Sequence, residues 1–227
     1  MNPIRALQDY DNPNSLASRF RRARARHVVG LIEAIAAKGQ GCRILDLGGR
    51  ALYWTSLFDR GLLERCGVKV TLVNLEPIED GGDPMFEAMQ GDATALGFKD
   101  NAFDLIHSNS VVEHVGDWPQ MEAFARETRR LAPSYYVQTP NFGFPIEPHF
   151  SSPFFHWTSE QARAKALMRR RHGFCGPAAD MGEAMRLVQH ARLLNRAQFR
   201  FLFPDAAYPD ERVLGLTKSL VAVRQGV

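Results

Sequence analysis

Cysteine is scarce. The chain has three, Cys42, Cys66 and Cys175, an odd number with no metal-ligand spacing among them. Such usage fits a reduced, cytoplasmic protein and supplies no zinc site, so no metal is expected from the sequence. Long apolar runs are missing as well. No stretch approaches bilayer-spanning length and the N-terminus carries no apolar h-region, so neither a membrane span nor a secretory leader is expected. Charge of one sign is also lacking: a net charge of +3 is too small to argue for a nucleic-acid partner. That charge is uneven, because residues 1–40 hold seven Arg/Lys against three Asp/Glu, so +4, leaving −1 for the remainder. There is no internal repeat and no low-complexity segment. What is present is 227 residues, 45% of them hydrophobic, which suits one α/β domain of ordinary size with at most a helical elaboration.

The organising stretch is Arg43-Ile44-Leu45-Asp46-Leu47-Gly48-Gly49-Arg50. Ile44, Leu45 and Leu47 are strand formers, Asp46 stands near the strand's end, and two glycines follow where the chain must bend. Glycine lets a backbone pass close to a ligand without a Cβ in the way. A helix is expected near 52–60, which makes this the first βα turn of an open sheet, where such sheets bind nucleotide-like ligands. On the octapeptide alone, a turn that merely ends a strand is an equal reading.

Residues 1–14, with two prolines and several Asp/Asn, read as an arm. Ser15 is placed to cap a helix running to about Lys38, ended by Gly39 and Gly41. Leu16, Phe20, His27, Leu31 and Ile35 recur at helical spacing as its buried stripe, with Arg19, Arg22 and Arg26 on a solvated face. Arg24 falls inside the stripe. It has two outlets: snorkelling to the edge, which is the expectation, or aiming its guanidinium into the cleft at a carboxylate or phosphate.

Residues 68–76 read as the second strand, stopped by Pro77. In ribose-binding α/β domains this strand's end supplies a carboxylate for the ribose hydroxyls. Asn74 occupies that position, and Glu76 follows on the same face; the bland reading of Glu76 is a surface residue before a loop. Residues 78–90 read as a polar loop. Phe103–Ser108 is a strand opening into Asn109-Ser110-Val111-Val112-Glu113-His114-Val115. Asp117 then caps a helix with Pro119 in its first turn and Met121, Phe124, Ala125, Thr128 and Leu131 as its buried face. Ser134–Thr139 is the next strand.

Several segments together carry a resemblance: Leu45-Asp46-Leu47-Gly48-Gly49, Val73-Asn74-Leu75-Glu76, Gly91-Asp92-Ala93, Phe103-Asp104-Leu105-Ile106 and Glu113-His114-Val115. In this order and spacing the chain resembles the class I S-adenosylmethionine-dependent methyltransferases of the type 11 group, over roughly residues 40–140. Leu202-Phe203-Pro204-Asp205-Ala206 and Gly215-Leu216-Thr217-Lys218-Ser219 resemble a subset of them. The chain departs from the pattern twice: the glycine-rich turn is shortened, and Asn74 replaces the ribose acid. The resemblance implies a Rossmann-like α/β fold with a seven-stranded, mostly parallel sheet, helices on both faces and a C-terminal antiparallel hairpin, which residues 206–224 fit. It implies S-adenosylmethionine as cofactor. The Gly48-Gly49 backbone would lie against its methionine portion and Asp46 would position its amino end, directly or through water. Asn74, Leu75 or Glu76 would take the ribose and one adenine face, Asp92 with Ala93 would take the adenine amino group, and the peptide around Asn109 would close over the methionine portion. The expected division of a single domain, 1–227, is an arm and basic helix over 1–40, a cofactor-binding core over 41–139, an acceptor-site insertion over 140–192, and a closing helix and hairpin over 193–227.

The insertion is aromatic and proline-stiffened from Asn141 to Trp157. Thr158 and Gln161 suit a capping box for a helix to His172, and a second helix is expected from Asp180 to Ala191. A dense aromatic stretch is often core under a loop, but Glu147, His149 and His156 within it, beside Trp157, argue for a lined acceptor cleft. The cofactor's sulfonium is already activated, so the protein mainly aligns an acceptor. A hydroxyl acceptor also needs a base: His114 is the first candidate and His149 the second. The competing reading of Glu113-His114 is structural work at a helix start. The expected activity is methyl transfer to a small-molecule acceptor at oxygen, a saccharide, lipid or secondary metabolite. A nucleic-acid methyltransferase is favoured only by the basic first helix and Arg169-Arg170-Arg171. A cofactor-binding protein that has lost catalysis is a third reading. A dinucleotide oxidoreductase is disfavoured by the missing third glycine and by Gly91-Asp92.

Overall fold

The computed structural model describes residues 16–173 and 175–226. The arm over 1–14 and the Ser15 cap lie outside the described residues, as do the side chains of Leu16 and Arg19. The elements in chain order are α1 (Leu16–Ala36), β1 (Cys42–Leu47), α2 (Ala51–Leu57), α3 (Arg60–Arg65), β2 (Val68–Asn74), β3 (Phe86–Gln90) and β4 (Leu105–Asn109). There follow α4 (Trp118–Leu131), β5 (Ser134–Pro140), the short hairpin β6 (Ile146–Glu147) and β7 (Ser152–Pro153), α5 (Glu160–Arg169) and α6 (Met181–Gln189). The chain closes with α7 (Arg196–Leu202), β8 (Glu211–Val213) and β9 (Leu216–Arg224). No helix among the described residues is long and apolar enough to cross a membrane.

One seven-stranded sheet has the order β3-β2-β1-β4-β5-β9-β8. Strands β1 to β5 pair in parallel, and β9 runs antiparallel between β5 and β8. The fold is therefore the Rossmann-like α/β sheet with a closing hairpin. Strands β1 and β5 lie at its centre, covered on both faces, and read as near-continuous buried runs. On one face α4 and α7 bury Phe124, Leu131, Phe199 and Leu202 against Leu45, Leu47, Ile106 and Tyr135. On the other, α1 to α3 bury Val28, Ile32, Trp54 and Leu63 against Ile44, Leu72, Leu105 and Tyr136. A smaller cluster, Phe150, Phe155, Ala164, Leu167, Ala184 and Val188, joins α5 and α6 to the aromatic loop.

Strand order reverses between β1 and β4. From β1 the chain winds outward through β2 and β3, then returns to the other side of β1. Such a switch point leaves a crevice outside the carboxyl ends of the strands. The register brings Leu47, Val73 and Ser108 level, so Gly48, Asn74 and Asn109 share one edge.

Several local expectations change. Residues 86–90 are strand β3 within the expected polar loop; only Phe86 is buried, because this is an edge strand, and a short polar edge leaves no hydrophobic signature. The expected helix over 52–60 breaks at Phe58, and Asp59 accepts from Leu62 N at 2.7 Å to start α3. In the insertion Ser159, not Thr158, caps α5, accepting from Ala162 N, while the Thr158 hydroxyl donates to Phe155 O at 2.7 Å. That helix ends at Arg169, and α6 ends at Gln189. Strand β8 begins at Glu211 rather than Ala206, with Ala207 making an isolated bridge to Val223.

The buried face of α1 also differs. Ala25, Val28, Leu31 and Ile32 are buried, while His27 is exposed, as are Arg22 and Arg26. Arg24 does not snorkel. It is 8% exposed, and its Nη1 donates to both oxygens of the equally buried Glu211, at 3.0 and 3.2 Å. Ser219 Oγ donates to Glu211 at 2.7 Å. The carboxylate it meets belongs to the closing hairpin, not to a ligand. Glu211→Ala should cost about 3–5 kcal/mol by leaving a buried guanidinium uncompensated, whereas Arg24→Met with Glu211→Met should recover most of that loss. Urea-unfolding midpoints of the single and double variants check this.

Candidate active site

The crevice at the switch point is an open cleft of roughly 470 Å³, within the size range of small-ligand sites. Asp46, Leu47, Gly48, Gly49 and Arg50 line it from the first βα turn, Leu52, Tyr53 and Ser56 from α2, His107 and Asn109 from β4, and Arg21 from α1. Gly48 takes φ +74° and its N–H donates to Val73 O at 2.7 Å. A Cβ there would stand 2.5 Å from Val111 Cγ2, and one at Gly49 would stand 1.7 Å from Asp46 Oδ2. Both glycines are therefore demanded by packing, one against the turn after β4 and one against a carboxylate.

That carboxylate forms the floor. Asp46 is 1% exposed. Its Oδ2 accepts from Trp54 Nε1 at 2.7 Å, and its Oδ1 lies 2.6 Å from His107 Nδ1. Because an ionised carboxylate only accepts, His107 donates through Nδ1, and its Nε2 is left to accept from the Tyr53 hydroxyl at 3.2 Å. Burial raises the Tyr53 phenol above its ordinary pKa, so it stays protonated as that donor. A chain of hydrogen bonds thus runs from Asp46 through His107 to a hydroxyl on the cleft wall.

A second group of polar side chains stands at the turn after β4. His114 Nδ1 faces His190 O at 2.9 Å, and its Nε2 lies 3.2 Å from His149 Nε2. His149 Nδ1 lies 2.7 Å from Glu147 Oε1, while Glu147 Oε2 accepts from Phe150 N at 2.5 Å. Glu113 is fully buried; its Oε2 accepts from Thr139 Oγ1 at 2.9 Å and its Oε1 has no partner. Burial pushes the Glu113 carboxyl up to about 7 and the His114 imidazole down to about 4. Burial also works against the charged form of His149, but its bond to Glu147 and that group's charge prevail, so its pKa is raised.

The methyltransferase-domain family, type 11, matches residues 45–134. Those residues run from the glycine turn to the start of β5. Over those 90 of the 227 residues the chain is similar to that methyltransferase-domain family. The uncharacterized protein Rv1509 of Mycobacterium tuberculosis is 27% identical over 154 residues, covering 64% of this chain and 51% of its own length. The chain thus spans about half the length of the curated relatives it matches. Among solved structures, a candidate sarcosine dimethylglycine methyltransferase from Galdieria sulphuraria superposes with a TM-score of 0.52 at 16% identity, over 93% of this chain and 68% of that one. A candidate methyltransferase solved in complex with the Haloferax volcanii Trm112 methyltransferase activator gives 0.50 at 13% identity, over 89% and 91%. At those identities the structures share the fold.

The expected residues are placed as follows. Gly48, Gly49 and Asn109 line the cleft, and Asn109 Oδ1 is buried with no partner. Asp46 lies beneath the cleft with both oxygens engaged. Asn74 donates through Nδ2 to Gly49 O at 2.8 Å, tying the end of β2 to the glycine turn. Leu75, 64% exposed, and Glu76 project at that edge. Asp92 accepts from the backbone and hydroxyl of Thr94, and Ala93 packs against the core. His149 meets His114 and is itself met by Glu147, whereas His156 is buried and faces Phe142 O at 2.8 Å. Trp157, 47% exposed, donates to that same carbonyl.

The sequence reading missed Tyr53, Trp54 and His107. A histidine directly after Leu105-Ile106 in a strand was the available signal. If the floor holds the glycine turn, Trp54→Phe should cost about 1–3 kcal/mol of stability by leaving Asp46 Oδ2 unpaired. Gly49→Ala should cost a similar amount by overpacking. Both variants should also weaken S-adenosylhomocysteine binding, as read by calorimetry beside unfolding curves.

Proposed function

We propose that the chain transfers the methyl group of S-adenosylmethionine to an oxygen of a small-molecule acceptor, of the saccharide, lipid or secondary-metabolite kind. The observation that carries this reading is the meeting of His114, from the methyltransferase domain, with His149, from the aromatic insertion, at the sheet edge that holds the cleft.

The cleft fits the cofactor. Gly48 and Gly49 line it and would lie against its methionine portion, the orphaned Asn109 Oδ1 offers an acceptor to its amino group, and exposed Leu75 offers an apolar surface to one adenine face. Asp46 acts through the floor it holds. Glu76 or Asn74 takes the ribose, and Asp92 beside Ala93 takes the adenine amino group. When bound, the cofactor supplies a methyl on a sulfonium that leaves as a neutral thioether. The carbon–sulfur bond breaks as the carbon–oxygen bond forms, so the protein must align the acceptor oxygen and receive its proton. His149 suits the base, because Glu147 orients it and favours its protonated form. His114 suits a partner that holds His149 in place. The exposed rings of Phe154 and Trp157, 5.1 Å apart, suit an acceptor wall. The insertion, 140–192, then chooses the acceptor while the sheet holds the cofactor. The three free cysteines support a reducing, cytoplasmic setting.

Calorimetry should give S-adenosylhomocysteine a dissociation constant in the low- to mid-micromolar range and NAD no measurable heat; NAD binding alone would refute the reading. Glu76→Ala should weaken S-adenosylhomocysteine by about 1.5–3 kcal/mol and Asn74→Ala by about 1, since a charge-assisted bond outweighs a neutral one. Equal small losses would mean that neither side chain reaches the ribose. His149→Ala should leave cofactor affinity within about 0.5 kcal/mol. Turnover of an acceptor identified by mass spectrometry of co-purified ligand should fall roughly 10²-fold.

A further inference from the structure

The two facing imidazole nitrogens pose a problem of charge. His114 Nδ1 faces a backbone carbonyl, which only accepts, so Nδ1 carries the proton and Nε2 a lone pair. His149 Nδ1 faces a carboxylate, with the same consequence for a neutral ring. Two lone pairs then point at one another across 3.2 Å, an arrangement that needs a positive charge between them. A proton or a metal ion would supply it.

Three observations favour the ion. The ring centroids are 4.9 Å apart with planes at 87°, closer than a head-on approach of the two nitrogens would leave them, so the rings meet at an angle. Two nitrogens about 2.0–2.1 Å from one tetrahedral ion stand about 3.3 Å apart, the spacing found here. Second, a third donor is near: ligand atoms of Glu113, His114 and His149 all lie within 4.8 Å of one another. The fully buried Glu113 still has an oxygen without a partner. Third, each histidine is held through its other nitrogen by a carbonyl or carboxylate, the arrangement that fixes tautomer and ring direction in metal-ligating histidines. The His149 side chain is 25% exposed, which gives an ion a route in.

We propose that His114, His149 and Glu113 form a binding site for a divalent transition-metal ion, with Glu147 and the His190 carbonyl as its outer supports. Two imidazoles and one carboxylate suit zinc, manganese, iron or cobalt, and two nitrogen donors weigh against magnesium and calcium. Three protein ligands leave coordination positions open, as in catalytic rather than structural sites. On the methyl-transfer reading, those positions would hold the acceptor's oxygen and ease its deprotonation, so the ion would take over the role given above to His149 as base. Metal binding itself does not depend on that reading.

The test uses full-length, tag-free protein stripped with a chelator, titrated with Zn²⁺ by calorimetry and with Co²⁺ by absorption spectroscopy. One ion per chain is expected, with a dissociation constant in the micromolar range or tighter. His114→Ala and His149→Ala should each weaken it at least about 100-fold, and Glu147→Gln about 10- to 100-fold. Ring-nitrogen NMR of the wild type covers the case in which a variant fails to fold: Zn²⁺ should move both Nε2 resonances and leave both Nδ1 protonated. Absence of binding, binding unchanged in both alanine variants, or unmoved Nε2 resonances would each overturn the site. S-adenosylhomocysteine affinity of the same stripped protein separates the two readings, since cofactor binding without metal binding ends this proposal alone.

Discussion

A single buried carboxylate sets the terms for the cleft. Asp46 is withdrawn from water, which is costly for a charge unless donors replace the lost solvent. Two replace it, and they come from different elements: Trp54 from α2 and His107 from β4. Asp46 and His107 are register partners on adjacent parallel strands, so their side chains share one face of the sheet. Tyr136 is the next partner in the same row, stacked on His107 with planes 7° apart. The floor is therefore a row across three strands, pinned from above by Trp54. Gly49 is forced by the same carboxylate, because any side chain there would occupy its place. The glycine turn is thus demanded by the fold at both positions while it lines the cleft.

The same face of the sheet is closed by a second buried charge pair. Arg24 of α1 and Glu211 of β8 are 187 residues apart in sequence, yet they join the first described helix to the closing hairpin. Ser219, the register partner of Glu211, supplies a further donor. Pairs of this kind contribute less to net stability than an apolar contact of equal volume, and their loss by halves is severe. Their role here is best understood as register. The short strand β8 has no long apolar surface to fix its position, and the ion pair ties it to the apolar-packed α1.

The frame was legible because periodicity reports burial. The five buried positions of α4 are the ones its spacing gives, and the apolar run of β1 marks a strand covered on both faces. Partners were not legible, since spacing does not say what a buried polar group meets. Arg24 was visible as an intruder in an apolar stripe, but nothing near it in sequence names Glu211. His107 was an intruder of the same kind in β4. Strand β3 escaped because an edge strand with one buried residue has no pattern to show. Of the candidate site, the glycine turn, Asn74 and Asn109 came from ordered motifs. The meeting of His114 with His149 depended on how the insertion folds back, with Glu147 spending both oxygens to shape that loop.

Strand β4 joins these parts. Its side chains alternate between the faces of the sheet, so His107 and Asn109 point the same way: one holds the floor and the other lines the cleft. The chain then turns through Ser110, at φ 59°, and Val111, whose methyls lie against Gly48. Glu113 and His114 follow within one short turn. A displacement of His149 in the insertion would thus reach His114 directly, and through Val111 it would reach the glycine turn. The cleft and the insertion share no long-range wire. They share nine residues of one chain segment, 106–114, anchored at its start by the Asp46 floor and at its end by buried Glu113. Because packed side chains resist continuous deformation, this segment transmits position more readily than it absorbs it.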